Sequence, residues 1–166
     1  MGLIDGILQE LEQESHTTRR VLERVPDNKL AWRPHEKART LGELALHVAI
    51  VPGAVAELVA TQSTVQAPQF TDPSPKRASE LIPALDESIA KAKKLLSGMD
   101  DTTLMGTWRM MQGERELFAV PRVALLRSIM LNHWYHHRGQ LTVYLRELDI
   151  PIPSIYGPSA DENPFA

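Results

Sequence analysis

The sequence predicts an all-α protein, an antiparallel four-helix bundle with long connecting loops. Three observations carry this. Four segments repeat apolar residues at helical spacing, residues that start and stop helices flank them, and no segment of comparable length alternates apolar with polar residues. With 166 residues, 43% of them hydrophobic, the chain reads as one domain over residues 1–166, large enough to bury a core without staples.

The first helix is expected over Leu3–Val25. Leu3, Ile7, Leu11, Val21, Leu22 and Val25 lie near one face, and Pro26-Asp27-Asn28 ends the run. Glu14, Ser15 and Thr18 interrupt that face. They either line a pocket or close an interhelical hydrogen bond. The second helix, Leu41–Thr61, opens on the capping box Thr40-Leu41-Gly42-Glu43. Leu41, Leu44, Val48, Val51, Val55 and Leu58 form its stripe, and Pro52 should kink it. The third, Ala78–Ser97, turns Leu81, Leu85, Ile89 and Ala92 inward, with Gly98 as its cap. The fourth, Pro121–Leu148, is stopped by Asp149-Ile150-Pro151. The links Pro26–Arg39, Thr64–Arg77 and Met99–Val120 are long for a bundle, and such loops often close a pocket. Leu104–Phe118 within the last link suits a short extended excursion. The tail 149–166 is expected to pack on the bundle.

A net charge of −3 supplies no basic field for nucleic acid or an anionic membrane surface. The longest apolar stretch, Leu44–Ala60, is broken by His47, Pro52 and Glu57, which argues against a membrane span. Met1–Glu10 lacks the basic start of a signal peptide, and Gly6 stands where myristoylation needs Ser or Thr. There is no cysteine, which excludes disulfides, thiolate zinc sites and a cysteine nucleophile, and fits a cytoplasmic protein.

Six histidines then become the main candidates for metal or acid–base chemistry. His133 and His137 are four apart on the fourth helix, so at about 100° per residue they stack one turn above the other. They fall near the stripe of Leu126, Met130, Leu141, Tyr144 and Leu148, whereas His136 faces elsewhere. Two imidazoles so placed suit a divalent ion; the alternative is a pair of hydrogen-bonded core histidines. His47, beside the stripe of the second helix, is the best third ligand, or else a single histidine at a helix boundary. His16 reads as solvated and His35 lies in a loop. Three neutral nitrogen ligands would leave an ion with open positions, as in catalytic sites, and suit zinc, nickel, cobalt, copper or iron.

Glu14 is a candidate acceptor or base near the ion. Gln140 can orient a ligand or bridge to another helix. Gly139 suggests close approach of a neighbouring backbone, within the bundle or across a dimer, and Arg138 a pair with an acid of the tail. Trp32, Trp108, Trp134 and Tyr156 either wall a pocket or pack. Met99, Met105, Met110 and Met111 read as adaptable packing or a lid.

The elements Thr40-Leu41-Gly42-Glu43-Leu44-Ala45-Leu46-His47, His133-x-x-x-His137-Arg138-Gly139-Gln140-Leu141, and Pro153-Ser154-Ile155-Tyr156-Gly157-Pro158-Ser159-Ala160-Asp161-Glu162 together resemble the DinB family, as does the loop Trp32-Arg33-Pro34. The resemblance runs from about Leu3 to Glu162. It implies an up-down-down-up four-helix bundle, usually a homodimer, binding one divalent metal, often nickel or zinc. On this sequence the implied ligands are His47, His133 and His137. Relatives include thiol-dependent S-transferases, a mycothiol-dependent maleylpyruvate isomerase and proteins described as metal-dependent hydrolases. The expectation is a thiol S-transferase that turns a low-molecular-weight thiol on an electrophilic substrate. Because the chain has no cysteine, the sulfur must come from the cosubstrate. The alternatives are hydrolysis by metal-activated water, or a non-catalytic metal-binding or dimerisation module.

Overall fold

The computed structural model describes residues 2–67, 69 and 71–166; Met1, and Pro68 and Phe70 of the second long link, lie outside the described residues. Helix α1 spans Leu3–Leu22 and buries Ile4, Ile7, Leu11, Val21 and Leu22. It stops before the expected Val25, and Leu3 is exposed, its place in the core taken by Ile4. Helix α2 spans Leu41–Thr61, bounded as its caps predict. Thr40 Oγ1 accepts from the Glu43 amide at 3.2 Å and the Glu43 carboxylate accepts from the Thr40 amide at 2.7 Å. Helix α3 spans Leu81–Leu96 after a short 3-10 turn at Ala78–Glu80. It ends at Ser97 without a left-handed glycine, so Gly98 is not the expected cap. A short α4, Asp101–Met105, follows.

The protein is mostly helical but not all-α. Strands β1 (Thr64–Gln66), β2 (Thr107–Gln112) and β3 (Arg115–Pro121) form a small sheet in that order, β1 parallel and β3 antiparallel to β2. Sequence pattern misses it because β3 is an edge strand with little buried surface, so no alternation is needed. The extended excursion expected within Leu104–Phe118 is the β2–β3 hairpin, turning at Gly113 with φ 61°. Trp108, on β2, is fully buried, and its indole donates to the Leu58 carbonyl at 3.3 Å. Arg122 Nε donates to Val59 O at 3.1 Å. Both satisfy carbonyls in the last turn of α2 that have no helical partner.

The fourth helix is continuous but not uniform. It runs as α5 (Arg122–Leu125), a π-helical stretch (Leu126–Asn132), and α6 (His133–Glu147). Pro121 ends β3 and caps α5, so the helix begins at Arg122 rather than at the expected Pro121. The Ser128 hydroxyl donates to the Ala124 carbonyl at 2.8 Å, competing with the backbone amides there, and the His133 amide bonds back five residues to Ser128. The wider turn changes which residues face inward. In α6 the core stripe is Trp134, Arg138, Leu141 and Leu145, and the stripe His133, His137, Gln140, Tyr144 runs along its flank. Leu141 is inward as expected; Tyr144 and Leu148 are half-buried.

Pro52 has the largest structural consequence in α2. It has no amide to give the Val48 carbonyl four residues back. The Trp134 indole donates to that carbonyl instead, at 2.7 Å. One residue on, the Gly53 amide donates to Ser88 Oγ at 2.8 Å, and Ser88 Oγ donates to the Ile50 carbonyl at 3.1 Å. Side chains from α6 and α3 thus repair the interrupted helix. The glycine is required by contact, since a Cβ at Gly53 would lie 2.8 Å from Ser88 O and 2.9 Å from Ser88 Cα, both backbone atoms. Gly53→Ala is therefore expected to push α3 away and to destabilise the protein by about 1–3 kcal/mol, read as a lower urea midpoint. By length and mean hydropathy (1.8), α2 does reach the range of a membrane-crossing helix, unlike the sequence reading. In the fold its apolar surface is turned on α3 and α6.

Asp149 takes a left-handed conformation (φ 58°) at the end of α6 and turns the chain into the tail. The tail is tied back by ion pairs Arg20–Glu162 and Arg146–Asp161, and within it the Ile152 amide donates to Asp161 at 2.9 Å.

Candidate metal centre

His47, near the end of the second turn of α2, meets His133 and His137 of α6. The Trp134–Val48 hydrogen bond fixes this register, because each of its residues is next in sequence to one of the histidines. Ring centroids lie 4.4 Å (His133–His137), 4.5 Å (His47–His137) and 5.3 Å (His47–His133) apart, with planes crossed at 82°, 85° and 90°. One ring nitrogen from each lies within 4.8 Å of the other two.

The hydrogen bonds fix which nitrogens carry lone pairs. His137 Nδ1 donates to Gln140 Oε1 at 2.7 Å, so its Nε2 presents a lone pair to the centre. That Nε2 is 2.8 Å from His133 Nε2. His47 Nε2 and His133 Nδ1 are buried without a hydrogen-bond partner among the described residues. Buried polar atoms so left are costly. An ion with metal–nitrogen distances of about 2.0–2.1 Å would satisfy His47 Nε2 and, with a tautomer change at His133, accept both Nε2 atoms of the stacked pair. The donor set and its spacing therefore fit a divalent transition metal.

Burial pushes the pKa values of His47 and His137 down to about 4. For His47 the neighbouring His137 adds to this; for His137 the bond to Gln140 opposes it. His133 is also lowered by burial, while the Ile129 carbonyl acts the other way, although its geometry leaves Nδ1 short of a full hydrogen bond. The folded chain thus binds fewer protons at this cluster than the unfolded chain, whose histidines titrate near 6.5. Stability of the metal-free protein should be unaffected by the cluster above about pH 6.5 and fall as the pH drops toward 4. Thermal melts at pH 7.5 and 5 will check this, and replacing His47 and His137 with Gln should flatten the difference.

Gln140 stands where the sequence suggested, supporting a triad histidine. Glu14 does not. It is buried on the inner face of α1 and pairs with Arg138 Nη2 at 2.6 Å, while the Tyr156 hydroxyl donates to it at 2.9 Å. Arg138 also donates to Thr18 Oγ1 at 3.1 Å and bonds the Tyr156 hydroxyl. The polar gap in the first stripe is thus the socket of Arg138, whose carboxylate partner lies in α1 rather than in the tail. Within the chain Gly139 meets no close backbone, since a Cβ there would have nothing among the described residues within 4 Å. Trp108 and Trp134 are core residues anchored to α2, not pocket walls. Trp32 alone of the expected aromatics flanks the triad's stripe, edge-on to Tyr144 at 5.6 Å. His16, His35 and His136 are exposed. Of the methionines, Met105 is exposed and Met110 packs against the core from β2.

Sequence reasoning missed Arg39 and Asp72. Arg39 precedes the cap of α2, and its Nε lies 2.9 Å from Asp72 Oδ1. The same oxygen lies 3.9 Å from His47 Nδ1. Neither residue carries a spacing signal, because Asp72 reaches the site from a loop.

The chain is a mostly helical protein with an ion-sized cluster of three neutral imidazoles set where two helices meet, a donor set that could hold a metal ion. Comparison with known proteins makes this specific: the chain belongs to the DinB family, whose family model matches residues 3–163. It is 30% identical over 163 residues to the uncharacterized protein YrdA of Bacillus subtilis, covering 96% of this chain and 91% of that one. Its fold is similar to a DinB-like protein from Bacillus cereus (TM-score 0.69, 23% identity, 92% of this chain and 97% of that one). It is also similar to YfiT from Bacillus subtilis (TM-score 0.65, 17% identity, 88% and 87%), described as a probable metal-dependent hydrolase with an unusual four-helix bundle topology.

Proposed function

We propose that this chain is a metal-dependent thiol S-transferase. His47, His133 and His137 hold one divalent ion, nickel or zinc, and a low-molecular-weight thiol and an electrophile are the substrates. The reading is carried by three uncharged imidazoles converging on one point with no protein carboxylate among them. An ion with such ligands keeps its full charge, and when bound it favours the thiolate form of a thiol or lowers the pKa of a water. The chain's own residues do the rest. Gln140 holds His137 in the tautomer that offers Nε2, and the Trp134–Val48 bond keeps the two helices in register.

Hydrolysis by an activated water is the second reading, favoured by the description of YfiT. Glu14, a candidate base, is committed to Arg138 and Tyr156, which leaves Asp72, 3.9 Å from His47 Nδ1, as the carboxylate beside the triad. A homodimer belongs to the proposal; Ile129, Gly139 and Val143 lie exposed on the fourth helix. We assign the activity to the cytoplasm, where thiols are kept reduced.

The test is turnover of metal-loaded protein with a panel of low-molecular-weight thiols and electrophiles. Product formation that requires the thiol is expected. Turnover of an ester without thiol would select hydrolysis, and no turnover by protein that retains its metal would leave a binding module.

A further inference from the structure

The triad does not stand alone at its end of α2. One carboxylate oxygen of Asp72 lies 2.9 Å from Arg39 Nε and 3.9 Å from His47 Nδ1. The Arg39 Nε is buried, and its contact with Asp72 lacks hydrogen-bond geometry, so it has no hydrogen-bond partner among the described residues. A guanidinium N–H held this way is an unmet donor beside a cluster of neutral rings. Trp32 is fixed next to it, its carbonyl accepting from the Leu41 amide at 2.7 Å. The Trp32 ring stands edge-on against Tyr144, which lies two turns beyond His137 on the same stripe of α6. Burial lowers the proton affinity of all three histidines and the field of Arg39 adds to it; at Tyr144, where burial raises the pKa, Arg39 and Arg33 act against that rise.

Charge counting points the same way. A divalent ion on three neutral ligands adds two positive charges to Arg39, against the single negative charge of Asp72. A site so composed attracts anions. Arginine suits a carboxylate in particular, because its planar fork can meet both oxygens. Asp72 already puts a carboxylate oxygen between Arg39 and His47, which means the space accepts that group.

We propose that Arg39 is the recognition residue for a carboxylate on the small-molecule ligand of this site, and that Asp72 holds that place until the ligand arrives. The ligand class is then a small anionic molecule carrying one donor atom for the ion and a carboxylate a few bonds away. The identity of the donor as a thiol rests on the function proposed above; the role of Arg39 rests on its own surroundings.

The test uses the full chain loaded with cobalt and two probes, 3-mercaptopropionate and 2-mercaptoethanol, each titrated while thiolate-to-cobalt absorption is followed. The carboxylate probe should bind about tenfold or more tightly than the hydroxyl probe, the factor a charge-assisted hydrogen bond typically supplies. Arg39→Gln should bring the two within about threefold by weakening only the carboxylate probe, and Arg39→Lys should keep part of the preference. Asp72→Asn should tighten the carboxylate probe, since its competitor is gone. If Asp72 only orients His47, this variant would weaken cobalt binding and leave the ratio unchanged, which overturns its part in the proposal. Equal binding of both probes to the unaltered chain, or a preference that survives Arg39→Gln, overturns the role of Arg39 while leaving the metal–thiol reading intact. Failure to take up cobalt, or no thiolate absorption with either probe, overturns both.

Discussion

Replacing His137 with alanine is expected to abolish stoichiometric binding of a divalent ion. His137 sits between the other two rings, with the shortest centroid distances of the three, and its Nε2 is held toward them by Gln140. Two histidines remain in the variant, His47 and His133, which are also the pair farthest apart at 5.3 Å. The loss in affinity should exceed the roughly 10–100-fold that follows removal of a residue that merely supports a ligand. Equilibrium dialysis with elemental analysis, on protein purified without a histidine tag, reads the result. Retention of the ion at unaltered affinity would mean that the triad is not its holder. The metal-free variant should fold, because the side chain removed is an imidazole whose burial costs desolvation, not an apolar core residue.

The second large effect is expected from Glu14→Ala. The Arg138 side chain is only 2% exposed, and Glu14 is its carboxylate partner. Deleting the carboxylate leaves a buried cation with only neutral acceptors, a change that typically costs about 3–5 kcal/mol. The midpoint of urea unfolding should fall accordingly. The double variant Glu14→Leu with Arg138→Met should recover much of the loss, since a buried pair replaced by apolar groups of similar volume is often neutral. If the single variant were as stable as the unaltered chain, the pair would not be the keystone between α1, α6 and the tail that its contacts indicate.

Much of this was legible in the sequence, and the reasons differ by element. Helix α2 could be bounded to the residue because the box at Thr40 and Glu43 has a geometric requirement that few other sequences meet. The triad could be named because four-residue spacing on one helix fixes two rings, and the place of His47 beside the stripe of the capped second helix marks the third, in agreement with the family resemblance. The sheet was hidden because its strands are short and β3 is nearly bare of buried side chains. The inward face of α6 was misjudged because a uniform turn cannot be assumed through Leu126–Asn132, where the ladder widens. The partner of Arg138 was misjudged for another reason: Glu14 and Thr18 interrupt an apolar stripe, and only the packing of α6 on α1 reveals that the interruption is a socket. Arg39 and Asp72 could not have been paired at all, since loop residues brought together by tertiary structure leave no periodicity.

The proline within α2 has a mechanical corollary. Where proline leaves a carbonyl free, the indole of the opposite helix plugs in beside both donors of imidazole, like a dowel across a joint. Sliding of one helix along the other must pull that dowel before it can spread the three rings, so their spacing is set by a bond that touches none of them.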